Sequence, residues 1–327
     1  MANDYGDPSR GLSFEETNFR SSLEGMGHEL IAYDFMEQSR QNGKQRMRAD
    51  LLRTAAETKP DVAFFCLFTD ELDISTIEGV GREGRCPTVN WFADDHWRFD
   101  IFTRHIAPAF DLAVTTDEDS LAKYAAEGID RVHLSQWACN RYAYSRANAG
   151  ENKHSVTFVG QPHGNREATV ERLRSAGHQV ECWGMGWPAG RLDHDGMVRV
   201  FGSSAINLNL SNSSLPPRTP RVLLGRLLGR GPKGPRPAQI KGRNFEVPGC
   251  GGFLLTERVP HLERYYDLGG EVGVFEDEDD LVEQVAYWLE HEERRAAVAE
   301  AGYRRTMAEH TYDHRFEAIF RAMEVSG

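Results

Sequence analysis

Ser155-Val-Thr-Phe-Val-Gly-Gln-Pro-His-Gly-Asn-Arg166 decides the reading of the fold. Ser155 to Val159 is β-branched and aromatic, which predicts a buried strand. Gly160 and Gly164 then allow a tight turn, and Arg166 to Ala176 has the polar and apolar spacing of a helix. A strand that passes through a glycine turn directly into a helix is the repeating unit of a parallel α/β sheet. The rhythm continues outward from there. His178 to Trp183 is a strand, and Ala205 to Leu210 is another, in which Ile and Leu alternate with Asn. Gly252 to Thr256 and Glu271 to Phe275 are further strands, with a helix predicted from about Pro260 between them. Helices over Glu278 to His291 and Glu292 to His310 follow, and Tyr312 to Val325 places Phe316, Ile319, Phe320 and Met323 on one face.

The preceding half carries the same alternation. Ser13 and Glu16 form a capping box ahead of a helix whose Phe19, Leu23 and Met26 share one face, and Gly27 stops it. His28 to Tyr33 reads as a strand, Lys44 to Glu57 as a charged helix, and Val62 to Leu67 as a buried strand. Strands are also predicted at Thr88 to Phe92, Leu112 to Thr115 and Arg131 to Leu134, with a helix led by Asp117. The polar stretch Arg146 to Lys153 is the natural linker. The expectation is therefore α/β, with two Rossmann-like doubly wound domains facing a cleft: 1–148, then 149–310, with 311–327 as a terminal helix. One segment does not fit. A doubly wound domain opens on a buried strand, yet Met1 to Arg10 is turn-rich, so the first sheet either lacks a central strand or begins upstream of this Met.

Composition narrows the function. A net charge of -12 over 327 residues argues against general nucleic-acid binding, which needs a basic field. The five cysteines are scattered without a Cys-x-x-Cys pair, so neither a disulfide framework nor a zinc site fits, and a cytoplasmic location is expected. No run approaches the length of a membrane span. Against that acidic background, the fifty residues from Gly196 to Phe245 hold no Asp or Glu and nine cations: Arg199, Arg218, Arg221, Arg226, Arg230, Lys233, Arg236, Lys241 and Arg243. Residues 215–238, rich in Pro, Gly and Arg, read either as a cationic flap over phosphate or as a solvated insertion.

The run Lys241-Gly-Arg-Asn-Phe-Glu-Val-Pro-Gly-Cys-Gly-Gly-Phe-Leu-Leu-Thr256 resembles the glycosyltransferase family that includes the spore maturation protein CgeB. Glu271 to Phe275, Asp279-Asp280-Leu281 and His310-Thr311-Tyr312 continue that pattern. Lys59-Pro60-Asp61, Trp91-Phe-Ala-Asp-Asp95 and Ala107-Pro-Ala-Phe-Asp111 are similar to its N-terminal domain. The resemblance implies the GT-B architecture, in which the second domain binds a nucleoside diphosphate sugar and the first binds the acceptor. It further implies no essential metal, no separate cofactor, and a last helix that packs back on the N-terminal domain.

On this resemblance Glu246 takes the place of a carboxylate that reads ribose hydroxyls, with Arg243, Lys241, Asn244 and Phe245 beside it in the donor site. The plainer alternative makes Glu246 a first-turn acid favoured by the helix dipole. A partner Glu eight residues earlier, common in retaining enzymes, is replaced by Ala238, so the motif does not carry over a retaining mechanism. Gly160 and Arg166 are the second donor candidates, Arg166 for the diphosphate at a helix start. Gly184, in Trp183-Gly-Met-Gly-Trp187, ends another strand at the same sheet edge, where a base or sugar could pack; core tryptophan is the equal alternative. An inverting transferase also needs a base, and Asp95, then Asp94 and His96, follow the strand ending at Phe92. Loop-capping acids, or a metal-binding carboxylate pair, are the competing readings of that turn. The expected activity is hexosyl transfer to a small-molecule, peptide or glycan acceptor. The rivals are a GT-B-fold nucleotide-sugar epimerase and a non-catalytic nucleotide-sugar binder.

Overall fold

The structure is a computed structural model, and it describes residues 2–68, 71–146, 153–211 and 239–324. The chain forms two compact units: Met1–Gln136 together with Asp313–Gly327, and Trp137–Tyr312. Residues 147–152, 212–238 and 325–327 lie outside the description, and with them most of the expected linker, the basic segment 215–238 and Ala238.

The first unit holds a parallel sheet of four strands: β1 (Ala63–Phe65), β2 (Thr88–Phe92), β3 (Leu112–Thr115) and β4 (Val132–Leu134). They lie side by side in chain order, with Ala63 opposite Thr88, Val89 opposite Leu112 and Ala113 opposite Val132. Every residue of β2 and β3 is buried, which explains their near-continuous apolar runs. Asp73 caps the helix Ile74–Gly84 by accepting from Thr76 N–H at 2.9 Å. That helix sends Ile77 and Val80 into a core shared with Met47, Leu51 and Ala55 of the helix Lys44–Thr58. The Ser13 cap forms, Ser13 Oγ accepting from Glu16 N–H at 3.0 Å. The following helix buries Phe19 and Leu23 and runs through a wider π turn at Glu15–Arg20. From the terminal helix Tyr312–Glu324, Phe316 meets Phe19 and Phe64 edge-on, at ring distances of 5.5 and 5.7 Å.

Two expected elements are absent. Residues His28 to Tyr33 form no strand, because among the described residues no neighbouring strand pairs with them. The helix expected from about Pro260 is a single 3-10 turn, Leu262–Arg264. His261 ahead of it sits at φ 67, a left-handed conformation through which no right-handed helix continues.

The second unit holds β5 (His154–Val159), β6 (Val180–Trp183), β7 (Ser204–Asn209), β8 (Leu254–Glu257) and β9 (Gly273–Phe275). All are parallel, in the order β6-β5-β7-β8-β9. Val156, Phe158, Ile206, Leu208 and Leu255 of the sheet pack with Val170, Leu173, Leu281, Val285 and Trp288 of the flanking helices. Among the described residues no helix is long and apolar enough to cross a membrane.

Candidate functional site

The order of the second sheet reverses between β5 and β7: the chain goes from β5 outward to β6, then returns to the other side. At such a reversal the loops leaving adjacent strands diverge, opening a crevice at the carboxyl ends of the strands. The residues there are Val159 at the end of β5 and Gly160 after it, and Leu210 and Ser211 after β7.

Arg166, the first residue of the helix Arg166–Ser175, spans this point. Its guanidinium donates to Gln161 O at 3.1 Å and to Leu210 O at 2.6 Å, bridging the two diverging loops. Arg243 comes from the short helix Arg243–Gly249, and its Nε donates to Val159 O at 3.3 Å. Both predicted cations thus meet at the reversal. Burial, and then the charge of the neighbouring Arg243, lower the pKa of Arg166 to about 10, with Glu257 opposing. Burial works against the charge of Arg243, but the groups around it, the carboxylate of Glu246 foremost, together outweigh burial and hold its pKa above the ordinary value.

Glu246 is 1% exposed and makes an ion pair with Arg243. Asn244, also fully buried, locks the turn that presents these side chains. Its Oδ1 accepts from Lys241 N–H at 2.8 Å and from Asn209 Nδ2 at 3.1 Å, while its Nδ2 donates to Thr256 Oγ1 at 3.1 Å. Phe245 is buried between Tyr265, Tyr266 and His310, so its contribution is to anchor the turn. Lys241 stays half-buried at the start of the turn. The glycines behind it are there for space: a Cβ on Gly249 would lie 2.2 Å from Cys139 Sγ.

Gly160 and Gly184 meet each other. Gly184, at φ 144, passes so close to the loop after β5 that a Cβ on it would lie 2.2 Å from Gly160 O. That same carbonyl accepts from Trp187 Nε1 at 2.8 Å, and Trp187 is buried, which makes it core. Met185 between the two glycines is 45% exposed at this edge. His163 is exposed in the turn before Arg166, and partial burial and then the Arg166 charge lower its pKa.

Glu257 was not singled out from the sequence. It ends β8, accepts from Ser211 N–H at 3.1 Å, and has its pKa raised by burial. Asn209 also belongs here, donating to Thr256 Oγ1 at 3.0 Å as well as to Asn244. The signal for both was available: an Asn and a Glu at the carboxyl ends of buried strands.

In the first unit, Asp94 adopts φ 62 and starts the short helix Asp95–Arg98. Asp95 is wholly buried, and its carboxylate accepts from Thr103 Oγ1 at 2.6 Å, Thr115 Oγ1 at 2.6 Å and Tyr124 OH at 2.8 Å. Burial raises its pKa to about 6, against the three hydroxyls. A carboxylate so enclosed ties together the loop after β2, the end of β3 and the helix Leu121–Ala126; it presents no oxygen to solvent. Asp94 and His96 on either side are half-buried.

Residues 166–321 match a protein family described as Glycosyl transferase-like. Among solved structures, Anabaena HepE in complex with UDP-glucose is similar at a TM-score of 0.62 and 11% identity, over 94% of this chain and 89% of that one. The fold is that of the GT-B glycosyltransferases. A glycosyltransferase from Rickettsia africae (TM-score 0.56, 7% identity, 94% of this chain and 87% of that one) shares it. So does sucrose-phosphate synthase from Thermosynechococcus elongatus (TM-score 0.53, 11% identity, 86% and 79%). No curated protein matches the chain by sequence.

Proposed function

We propose that the protein is a cytoplasmic, CgeB-like glycosyltransferase that transfers a hexose from a nucleoside diphosphate sugar to an acceptor without a metal. One observation carries this reading: two guanidiniums converge at the strand-order reversal of the second unit, Arg166 on Gln161 O and Leu210 O and Arg243 on Val159 O, near enough that the charge of Arg243 lowers the pKa of Arg166. Paired cations at a sheet's carboxyl edge suit a diphosphate, which relieves their repulsion and gains charge-assisted hydrogen bonds. As the sugar leaves, negative charge grows on the distal phosphate, and preorganised cations stabilise it in the role a divalent metal takes elsewhere. The family match over the same unit supports the reading, as does the UDP-glucose held by HepE.

In this mechanism Arg243 exchanges partners. Without donor it neutralises Glu246. With donor it turns to the phosphate, and Glu246 accepts from the ribose hydroxyls. Because Asp95 is enclosed by three hydroxyls and both ring nitrogens of His96 are buried, deprotonation of the acceptor falls to Asp94 at the same turn. That enclosure also favours a second reading, binding of a nucleotide sugar without turnover.

The test is a panel of nucleoside diphosphates and their sugars, followed by thermal shift and by release of the nucleoside diphosphate. A specific native-state ligand at 100 times its Kd stabilises by about 2.7 kcal/mol. Stabilisation with release supports transfer, and release unchanged by EDTA supports metal independence. Stabilisation without release from any donor and acceptor pair selects the second reading. If no nucleotide shifts the melt, both fail.

A further inference from the structure

The carboxylate of Glu246 is 1% exposed, and among the described residues Arg243 is its one side-chain partner. When Arg243 turns toward a diphosphate, it strips that buried carboxylate of its counter-charge. A buried charge left unpaired is strongly unfavourable. The exchange therefore calls for a hydrogen-bond donor that waits beside the pair and is unused while the pair is closed.

Tyr144 has those properties. It belongs to the same core cluster as Phe245 and Val247, the chain neighbours of Glu246, and as Phe201, whose ring centre lies 5.4 Å from the Arg243 guanidinium. One helix, His194–Ser203, supports both sides of the arrangement. Its Phe201 lies against Arg243, and its His194 meets the Tyr144 ring edge-on at 4.9 Å while His194 Nε2 donates to Ala143 O at 2.9 Å. Tyr144 N–H donates to Asn140 O at 2.8 Å, so the residue is fixed at its backbone as well as at its ring. The side chain is only 2% exposed, yet among the described residues its hydroxyl makes no hydrogen bond. A buried tyrosine hydroxyl ordinarily has one. Burial pushes the phenol far above its ordinary pKa, and the charge of Glu246 raises it again with Arg243 opposing, so the hydroxyl feels both members of the pair.

The two needs answer each other: a carboxylate about to lose its donor, and a buried hydroxyl without an acceptor. We propose that Tyr144 is a positioning residue of the donor site, whose hydroxyl donates to Glu246 as Arg243 leaves that carboxylate for the diphosphate. The inference rests on the partner exchange of Arg243 proposed above. A neutral donor suits the place better than a further cation, which would repel Arg243 and Arg166 and bind Glu246 as firmly as Arg243 does. A phenol that keeps its proton gives one hydrogen bond and leaves the other acceptor positions of the carboxylate for the ribose hydroxyls.

The experiment is a double-mutant cycle in the full chain: Tyr144→Phe and Glu246→Gln, alone and combined, titrated calorimetrically with UDP, ADP and GDP. Phenylalanine removes only an oxygen that is unbonded in the free protein, so the urea midpoint of Tyr144→Phe should match wild type. With whichever of these nucleotides wild type binds, Tyr144→Phe should weaken binding by about 10-fold, the loss of one hydrogen bond to a charged group. In the Glu246→Gln background no carboxylate needs holding, and the same change should cost less than about 2-fold. Equal loss in both backgrounds, or no loss in either, overturns the proposal. So does a Tyr144→Phe protein that denatures earlier or fails to fold, because the hydroxyl would then already support the free state. In each of those cases wild type still binds its nucleotide and the donor reading stands. Wild type that binds none of the three nucleotides removes the donor reading, and this inference with it.

Discussion

Replacing Asp95 by Asn tests the account of the first unit through pH. The carboxyl group is fully buried and its pKa is pushed up to about 6, from an ordinary value of 3.8. Below pH 3.8 the group is protonated in both the folded and the unfolded chain and costs nothing. Between there and about pH 6 the unfolded chain loses the proton while the folded chain retains it, so stability falls as pH rises. Above the folded value the loss is complete. At about 1.4 kcal/mol for each pH unit between the two values, it comes to about 3 kcal/mol. Asn preserves the volume and can still accept from the hydroxyls, but it does not titrate. Stability measured by urea at steps from pH 4 to 7.5, as wild type minus Asp95→Asn, cancels every other titrating group. The difference should fall by about 2.5 kcal/mol across that range, the remainder being already lost at pH 4, most steeply between pH 4 and 6, tracked by intrinsic tryptophan fluorescence. A flat difference would refute the burial argument. One that rises with pH would mean that the hydroxyls dominate and hold the ionised form.

Three further outcomes follow from the second unit. Arg166→Gln should weaken nucleoside diphosphate binding by about 10- to 100-fold, the cost of one charge-assisted interaction, read by isothermal titration calorimetry. Glu246→Gln leaves Arg243 without its counter-charge; loss of the ribose contact should weaken a nucleoside diphosphate by about 10-fold while inorganic pyrophosphate binds no worse, and equal weakening of both would remove the ribose role. Gly249→Ala forces a Cβ within 2.2 Å of Cys139 Sγ, and should cost about 1–3 kcal/mol in chemical denaturation. Adding Cys139→Ala should restore part of that loss.

Much of the fold was legible because a strand buried on both faces leaves a near-continuous apolar run. Thr88 to Phe92 and Leu112 to Thr115 have the same limits in the sequence and in the structure. The misreading of His28 to Tyr33 has a definite cause: its pattern is that of a strand, but a strand exists only with a neighbour, and pattern alone does not supply one. The convergence of Arg166, Arg243 and Glu246 was readable from topology, since turns after successive parallel strands share one edge. Asp95 was different. Its partners lie 8, 20 and 29 residues further along the chain, and nothing local distinguishes an acid that faces solvent from one enclosed by hydroxyls.

The two cations at the reversal also explain why the donor motif is built as it is. Arg166 alone would be a brace, fastening the loops after β5 and β7 through two carbonyls. A brace does not need a second guanidinium beside it, and the second one depresses the pKa of the first. Asn244 and Asn209 are nevertheless spent, wholly buried, on fixing the turn that brings Arg243 there. Glu246 pairs with Arg243, while the carboxylate that supports the charge of Arg166 is Glu257 at the end of β8. Two guanidiniums brought to one sheet edge by buried asparagines form an arrangement that an anionic ligand requires and a purely structural ion pair does not.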